Sequence, residues 1–197
     1  MIEKYPIWIR IFAKLFKKWI SIITESHELE IAKLKEMVAH DSLTGALSRK
    51  EFKERVAHIL FLLKRNGADH YFSIVFIDID KFKDINDEYG HEGGDNILKN
   101  LVCYLESHLR ESDFVGRFGG DEFALFLGES NMKFGIKVVE KIKSALAHDK
   151  LSTGNEEIQV GISCGIASTS EDINEIQELL RKADQRMYKV KRSKNSG

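Results

Sequence analysis

Four acidic residues occupy positions from which side chains of different segments can meet, and their types suit metal-assisted phosphoryl chemistry. Asp78 and Asp80 end the most hydrophobic segment of the chain, and i, i+2 spacing in a strand directs both side chains to one face. Asp121 and Glu122 follow a double-glycine turn. If the two segments are adjacent, their carboxylates converge and suit a hard cation such as Mg²⁺. Metal ions held in this way polarise an attacking hydroxyl and stabilise the reacting phosphorus.

Simpler interpretations of these carboxylates stay open. Asp80 precedes a helix that opens at residues 81–83, and capping of that helix is the alternative to metal binding, because Asp is a favoured N-cap residue. For Asp121 and Glu122 the alternative is a solvated turn. Asp78 has a weaker alternative, because a carboxylate so close to a buried strand needs a partner to offset its desolvation.

Phosphate-binding groups are available near the same point. The free amides at the N-terminus of the helix that opens with Lys81-Phe82-Lys83 attract anions. Lys83 and Lys191 are candidates for neutralising phosphate charge, and ordinary surface lysines are the alternative interpretation of both.

The elements that position these residues alternate between helix and strand. Ser48 with Glu51 forms a capping box that starts a helix, and the continuously apolar run Ile74–Ile77 indicates a central strand covered on both faces. Gly119-Gly120 predicts a hairpin turn, since glycine accepts the positive φ that tight turns require. The predicted helices end near residues 66, 110, 146 and 192, and the predicted strands span 71–79, 114–118, 123–127 and 158–166.

The last of these strands, 158–166, is predicted from a strict period-two alternation of apolar and polar residues. Taken together, the order of elements predicts an α+β fold, a mixed central sheet flanked by helices and preceded by an N-terminal helix.

The N-terminal helix is predicted to be basic and amphipathic. Ile7–Ile23 is apolar, but Arg10, Lys14 and Lys17 recur on one helical face. These charges argue against a membrane span, and no signal-peptide pattern is present, so we expect a cytoplasmic protein. Residues 1–23 either dock peripherally on the inner membrane or on a partner, or pack on the domain itself or on a second copy.

Residues 25–40 continue the helical pattern with a weak heptad seam, which is compatible with a short parallel coiled coil. The pattern breaks at Asp41. We therefore divide the chain into an N-terminal helical segment, 1–40, and a globular domain, 41–197.

The composition fits one globular domain with a short appendage. Of the 197 residues 43% are hydrophobic, which is ample for one core. The 30 Lys and Arg against 31 Asp and Glu give a net charge of −1, which argues against nucleic acid as a partner, because binding to phosphates needs excess positive charge. Cys103 and Cys164 match no metal-ligand spacing and indicate reduced packing residues, which excludes a disulfide scaffold or a zinc module.

Five motifs in order resemble the GGDEF domain of diguanylate cyclases. The central motif is Arg117-Phe118-Gly119-Gly120-Asp121-Glu122-Phe123. The others are Asp41-Ser42-Leu43-Thr44-Gly45 with Leu47 and Arg49, Asp78 to Lys83 with Ile85-Asn86-Asp87, Gly90-His91 to Gly94-Asp95, and Ala183-Asp184 with Met187, Tyr188 and Lys191. The resemblance covers residues 41–195 and implies a mainly antiparallel sheet in a palm-like nucleotidyl cyclase fold.

This resemblance implies that the chain makes cyclic di-GMP from two GTP molecules with release of pyrophosphate. Asp78, the backbone carbonyl of Ile79, and Asp121 would hold Mg²⁺ or Mn²⁺. Glu122 would be a further metal ligand or would help to deprotonate the ribose 3′-hydroxyl, and the resemblance leaves that choice open. Asp121, Glu122 and Lys83 are accordingly the predicted catalytic residues.

The resemblance also implies a GTP-binding set. Asn86 and Asp95 would read guanine, whose N1 and N2 donors a carboxylate can accept together, while adenine would leave that carboxylate unpaired. A simpler interpretation of Asp95 is an N-cap for a helix that starts at Asn96, and both can hold. The remaining predicted GTP-binding residues are Phe82, Lys83, Gly119, Gly120 and Lys191.

Two further expectations concern regulation. Each active site holds one GTP and the product has two 3′-to-5′ linkages, so two domains must face each other, and the N-terminal helix would hold this homodimer. Arg110-Glu111-Ser112-Asp113 resembles the family's inhibitory RxxD site at the right distance from Gly119, which implies that cyclic di-GMP binds Arg110 and Asp113 as a feedback ligand. Without that spacing, Arg110 would be a helix C-terminal residue favoured by the helix dipole.

The sequence departs from the family pattern at its end. The family commonly has a Gly-Arg pair after the closing-helix lysine, and here the usual Arg falls on Asn195, with Lys194 as a candidate substitute. A competing hypothesis is a receptor for cyclic di-GMP or GTP that has lost turnover. The intact metal carboxylates favour the enzyme, because a pure receptor has no physical need for them.

Overall fold

The computed structural model describes residues 6, 14–25, 27, 39–66 and 70–195, and the chain divides into two compact units, Met1–Ala39 and His40–Gly197. In the first unit residues 14–25 are helical, with Leu15, Trp19 and Ile22 exposed. Residues 7–13 of the predicted amphipathic helix and residues 28–38 of the predicted coiled coil lie outside the described residues. Within the described ranges, no helix is both long enough and apolar enough to cross a membrane.

The second unit is built from four helices and seven strands within its described residues. The helices are α1 (Arg49–Asn66), α2 (Phe82–Ser107), α3 (Met132–Leu146) and α4 (Ile176–Asn195). The strands are β1 (Leu47–Ser48), β2 (Ser73–Ile79), β3 (Phe114–Arg117), β4 (Glu122–Leu127), β5 (Leu151–Ser152), β6 (Glu157–Ile158) and β7 (Ile162–Ser168).

Within residues 39–66 and 70–195, five strands form one sheet in the order β1-β3-β4-β2-β7, and β5 pairs with β6 separately. The β1–β3 pair is parallel, and the other pairs of the large sheet are antiparallel. The predicted α+β fold with a mixed, mainly antiparallel sheet is therefore confirmed.

The sheet is covered on both faces, which explains why β2 is buried along its whole length and continuously apolar over Ile74–Ile77. On one face Val75 and Ile77 join a cluster supplied by α2 and α3. On the other face Ile74 and Phe76 join a cluster supplied by α1 and α4. The two clusters fix β2 at the centre of the molecule.

The period-two segment 158–166 is not one strand, and that prediction was wrong. Ile158 ends β6 in the small sheet, and β7 starts at Ile162 in the large one. Two of its small residues are covered by the protein: Ser163 is fully buried, and Gly165 lies so close to α4 that a Cβ would overlap the carbonyl oxygen of Ala183. The small side chains let α4 approach the sheet closely.

A charged cluster holds α4 to the end of β7. The carboxylate of Glu171, in the 3₁₀ turn Thr169–Glu171, accepts both guanidinium nitrogens of Arg186, at 2.8 and 2.7 Å, and lies 3.3 Å from Lys182 Nζ. The same guanidinium donates to the carbonyl of Ile166 at 2.7 Å. The hydrogen bond from Arg186 is the main cause that lowers the pKa of Glu171 to about 2.

We expect this cluster to give the fold an acid-dependent stability. Because the folded-state pKa of Glu171 is depressed from 4.5 to about 2, its contribution is complete above the ordinary value and is lost as the pH falls through that interval. Urea unfolding from neutral to acidic pH should show a steeper loss of stability for the wild type than for Glu171→Gln. The exposed Glu140→Gln on α3 is the control, and parallel curves for wild type and Glu171→Gln would contradict the prediction.

Candidate active site

The carboxylates come together at the end of the β2–β4 pair. In this antiparallel register Asp78 lies directly opposite Glu122, so both side chains leave the sheet on the same face. The amide of Ile79 donates to the carbonyl of Asp121 at 3.3 Å, which places Asp121 beside the end of β2. The expectation that the hairpin lies next to the central strand, bringing its acidic residues toward Asp78, is confirmed.

This end of the sheet has an excess of negative charge in a partly desolvated place. Burial is the largest cause that raises the pKa of Asp78, the hydrogen bond from Lys191 opposes it, and the charge of Asp121 adds to it. Burial likewise raises the pKa of Glu122, and the charges of Asp78 and Asp121 raise it further. A divalent cation bound here would relieve this repulsion.

The donor set fits a Mg²⁺ ion that keeps part of its water shell. Among the described residues, no three His, Cys, Asp or Glu side chains converge into a ready cage for a metal. Mg²⁺ is commonly held by one or two carboxylates together with substrate phosphates, so such a cage is not needed. The oxygen ligands available at this point are the carboxylates of Asp78, Asp121 and Glu122 with the backbone carbonyl of Ile79.

The two glycines of the hairpin do not have the backbone conformation that was predicted for them. Neither Gly119 nor Gly120 has a positive φ, so the expectation of a left-handed turn was wrong. A Cβ on Gly119 would lie 2.6 Å from Glu122 Oε2, and one on Gly120 would meet nothing within 4 Å. Gly119 therefore leaves room for the carboxylate of Glu122, and Gly120 exposes its backbone.

Asp80 is not the N-cap of α2, and that interpretation was wrong. The N-cap is Lys81, which adopts a left-handed backbone (φ 55°) and has no side-chain capping bond. Asp80 instead accepts a hydrogen bond from the hydroxyl of Ser163 at 2.5 Å and pairs with the ammonium of Lys194. Its carboxylate is thus occupied by contacts within the fold.

The predicted guanine-binding residues lie on α2, on both sides of a kink. The helix is interrupted only by the non-helical backbone of Gly90, so no helix starts at Asn96 and Asp95 is not an N-cap. A Cβ on Gly94 would overlap Asn86 Oδ1 and would lie 3.3 Å from the ring of Phe82. The structure thus brings Phe82 and Asn86 alongside the residue that precedes Asp95.

The two predicted phosphate lysines have different surroundings. Lys191 Nζ donates to Asp78 Oδ1 at 2.5 Å, so this lysine lies at the carboxylates. Its hydrogen bond with Asp78 raises the pKa of Lys191 against the opposing effect of burial, which is the larger single cause. Lys83 lies exposed on the first turn of α2. Lys194, the candidate substitute for the Arg that the family commonly has after the closing helix, forms an ion pair with Asp80.

Sequence reasoning assigned no role to several charged residues that the structure places at the site. The pKa of Glu122 is raised by the charge of Asp184 and lowered by that of Arg49, so both lie within electrostatic range. Arg117 donates to the carbonyls of Gly119 and Gly120 at 3.1 and 2.8 Å. These residues belong to the motifs quoted above, but only the fold shows which groups they contact.

Arg117 also connects the hairpin to the turn at the start of the domain. Its Nη1 donates to Asp41 Oδ1 at 2.9 Å, and the same oxygen accepts the amide and hydroxyl of Thr44. The hydrogen bonds from Thr44 and Arg117 lower the pKa of Asp41 although burial, the largest single cause, acts to raise it. One guanidinium thus joins the turn at residues 41–45 to the loop that carries Asp121.

The predicted inhibitory residues lie in the turn between α2 and β3. The helix was predicted to end near Arg110, but it ends at Ser107, so Arg110 is not a helix C-terminal residue. Asp113 accepts the amides of Gly128 and Arg110 at 2.8 and 3.1 Å, and the guanidinium of Arg110 lies 4.7 Å from the ring centroid of Phe134. A groove of about 310 Å³ adjoins both residues.

A mixed sheet between two helical layers, with carboxylates at the end of its central antiparallel pair, is the palm-like nucleotidyl cyclase fold. The family described as "Diguanylate cyclase, GGDEF domain" matches residues 38–197. The chain belongs to this family.

Known proteins support the assignment. The chain is 35% identical over 154 residues to diguanylate cyclase DgcP of Pseudomonas aeruginosa, covering 78% of this chain and 22% of that protein. It resembles the crystal structure of diguanylate cyclase SiaD in complex with its activator SiaC from Pseudomonas aeruginosa, with a TM-score of 0.72, 30% identity, and coverage of 97% and 72%. It also resembles a structure of a microbial GGDEF domain with cyclic di-GMP. That match has a TM-score of 0.69 and 31% identity, and it covers 81% of this chain and 94% of that chain. The chain spans only 22% to 42% of the length of the first curated relatives.

We expect Arg117→Ala to destabilise the domain by roughly 1–3 kcal/mol, because it removes the charged donor to the partly buried carboxylate of Asp41 and the hydrogen bonds to two carbonyls. Arg117→Lys should give an intermediate loss, since an ammonium cannot reproduce the fork of a guanidinium. Denaturant unfolding measures both.

The control is Arg181→Ala, an exposed change on α4 that should alter the free energy of unfolding by less than about 0.5 kcal/mol. If Arg117→Ala changed the free energy of unfolding as little as this control does, the contacts of Arg117 between the turn and the hairpin would not contribute to stability.

Proposed function

We propose that this chain is a diguanylate cyclase that condenses two GTP molecules into cyclic di-GMP and two pyrophosphates. The observation that carries the proposal is the register of β2 and β4, which sets Asp78 against Glu122 with Asp121 beside them. That arrangement brings carboxylates of two strands, the exposed backbone of Gly120 and Lys191 to the same end of the sheet.

The residues supply the chemistry as follows. The 3′-oxygen of one GTP attacks the α-phosphorus of the other, a P–O bond forms, the bond to the bridging oxygen breaks, and pyrophosphate leaves. Asp78, Ile79 through its carbonyl, Asp121 and Glu122 would hold Mg²⁺ or Mn²⁺, which supplies charge neutralisation at the phosphates and a more acidic hydroxyl. Glu122, with its raised pKa, is placed to be either a ligand or the acceptor of the hydroxyl proton.

Substrate binding uses the neighbouring groups. Asn86 and Asp95 read guanine, with Phe82 and Asn86 beside the backbone of Gly94, and the open backbone at Gly120 lets the nucleotide approach. Lys191, already at the carboxylates, and Lys83, on the first turn of α2, neutralise the triphosphate.

Since one site holds one GTP, the two linkages of the product need two domains facing each other. We propose that residues 1–40 hold this homodimer, with domain boundaries at 40 and 41. The exposure of Leu15, Trp19 and Ile22 on the N-terminal helix supports an interaction surface there, with a second copy, a partner or a membrane surface as its occupant.

Asp121→Ala tests the reaction. Purified wild type with GTP and Mg²⁺ should form cyclic di-GMP at a specific rate that rises with protein concentration, because two domains must meet. Asp121→Ala should lower that rate by at least about 100-fold, the range for loss of an essential electrostatic group. Glu140→Ala, an exposed change on α3, should keep the wild-type rate. Binding of GTP without product, after removal of bound nucleotide, would favour the receptor.

Feedback is the second part of the proposal, and the groove beside Arg110 and Asp113 supports it together with the microbial relative that interacts with cyclic di-GMP. Arg110→Ala should weaken inhibition by added cyclic di-GMP, because a charge-assisted hydrogen bond is lost. We expect the half-inhibitory concentration to rise about tenfold or more. Initial rates with added product measure this. Equal inhibition of wild type, Arg110→Ala and the control Arg181→Ala would place the feedback ligand elsewhere.

A further inference from the structure

The last turn of α4 is held on the sheet by two ion pairs with matched spacings. Lys191 Nζ lies 2.5 Å from Asp78 Oδ1, and Lys194 pairs with Asp80. Residues two apart at the end of a strand point to one side, and residues three apart on a helix share a face. The helix end is therefore bound to the end of β2 at two points.

The second of these points is bonded to the ends of both β2 and β7. The ammonium of Lys194 also donates to the carbonyl of Ile162 at 3.0 Å. Asp80 accepts the hydroxyl of Ser163 at 2.5 Å, and its amide donates to the carbonyl of Gly161 at 2.9 Å. The two acceptors of Lys194 are the carboxylate of Asp80 and the carbonyl of Ile162. Both belong to residues that the pairing of β2 with β7 holds in place.

We propose that Lys194 is a positioning residue: by fixing the last turn of α4 on Asp80 and Ile162, it sets the place from which Lys191 reaches the active-site carboxylates and the triphosphate. The inference rests on the proposed function for the identity of the ligand. It also assigns a purpose to Lys194, the candidate substitute for the missing Arg: this lysine binds the end of α4 to the sheet and makes no separate phosphate contact.

The exposure of the Lys194–Asp80 pair limits its contribution to the stability of the fold. The side chain of Lys194 is 40% exposed and that of Asp80 21%, so the pair by itself adds little to global stability. Its consequence is geometric, and it should be measured at Lys191 and not in the unfolding of the domain.

A double-mutant cycle in the full chain tests this. The probe is 3′-deoxy-GTP with Mg²⁺, which lacks the attacking hydroxyl, and its affinity is measured by calorimetry. Lys194→Ala should weaken binding about two- to fivefold, the range of an exposed ion pair. In a Lys191→Ala background the same change should have no further effect, because Lys194 acts through Lys191. Lys194→Arg should restore binding, and Lys189→Ala, an exposed lysine on the same helix, is the control.

The outcomes separate the two proposals. Additive losses in the cycle would mean that Lys194 contacts the phosphates directly and would overturn its positioning role while leaving the nucleotide site in place. Wild type that binds no 3′-deoxy-GTP would overturn the proposed function and the inference with it. Hydrogen exchange without nucleotide is the second measurement: the amides of the last turn of α4 should exchange several-fold faster in Lys194→Ala than in Lys189→Ala, and equal rates would also overturn the role.

Discussion

Two like-charged side chains set directly across from each other at the end of the sheet are the constraint on which the site depends. The pairing of Asp78 with Glu122 is enforced by the backbone register, since the same ladder runs on into the buried strands. Like charges in this geometry are destabilising, and partial burial makes the repulsion stronger than at an open surface. The fold therefore maintains an electrostatic strain that a bound cation would relieve.

The positively charged side chains near Asp78 and Glu122 come from different helices, and one arginine of the hairpin bonds elsewhere. Lys191 reaches Asp78 from α4, and Arg49 approaches Glu122 from the start of α1. Arg117 bonds to backbone carbonyls and to Asp41, not to the catalytic pair. The guanidinium fixes the loop through these contacts, which separates structural support from chemistry.

The sequence predicted the features that depend on local pattern. The apolar run of β2, the hairpin and the capping residue Ser48, whose hydroxyl accepts the amide of Glu51 at 3.3 Å, all followed from composition and spacing. The errors arose where a distant contact overrides a local preference. Asp80 is drawn away from capping by Lys194, which comes 114 positions later.

The break in the period-two segment has a similar cause. A Cβ at Gly161 would lie 2.8 Å from Asp80 Oδ2, so the chain passes Asp80 closely just before β7 begins. The roles of Arg117 and Asp41 were equally hidden, because 76 positions separate them. Hydrophobic alternation and helix or strand propensity do not predict contacts between residues so far apart in sequence. The family motifs identify these residues but not the groups that they contact.

The contacts of α4 with β7 have a consequence for how copies of this domain can associate. The bonds from Asp80 N to Gly161 O and from Thr169 N to Phe72 O fix the alternation of the ladder, so the carbonyls of Ile162 and Ile166 point away from β2. β7 is an edge strand, and such carbonyls invite a strand from another molecule. Lys194 and Arg186 already occupy them. A strand from another molecule could pair along β7 only by displacing these two side chains, which disfavours joining of two sheets at this edge.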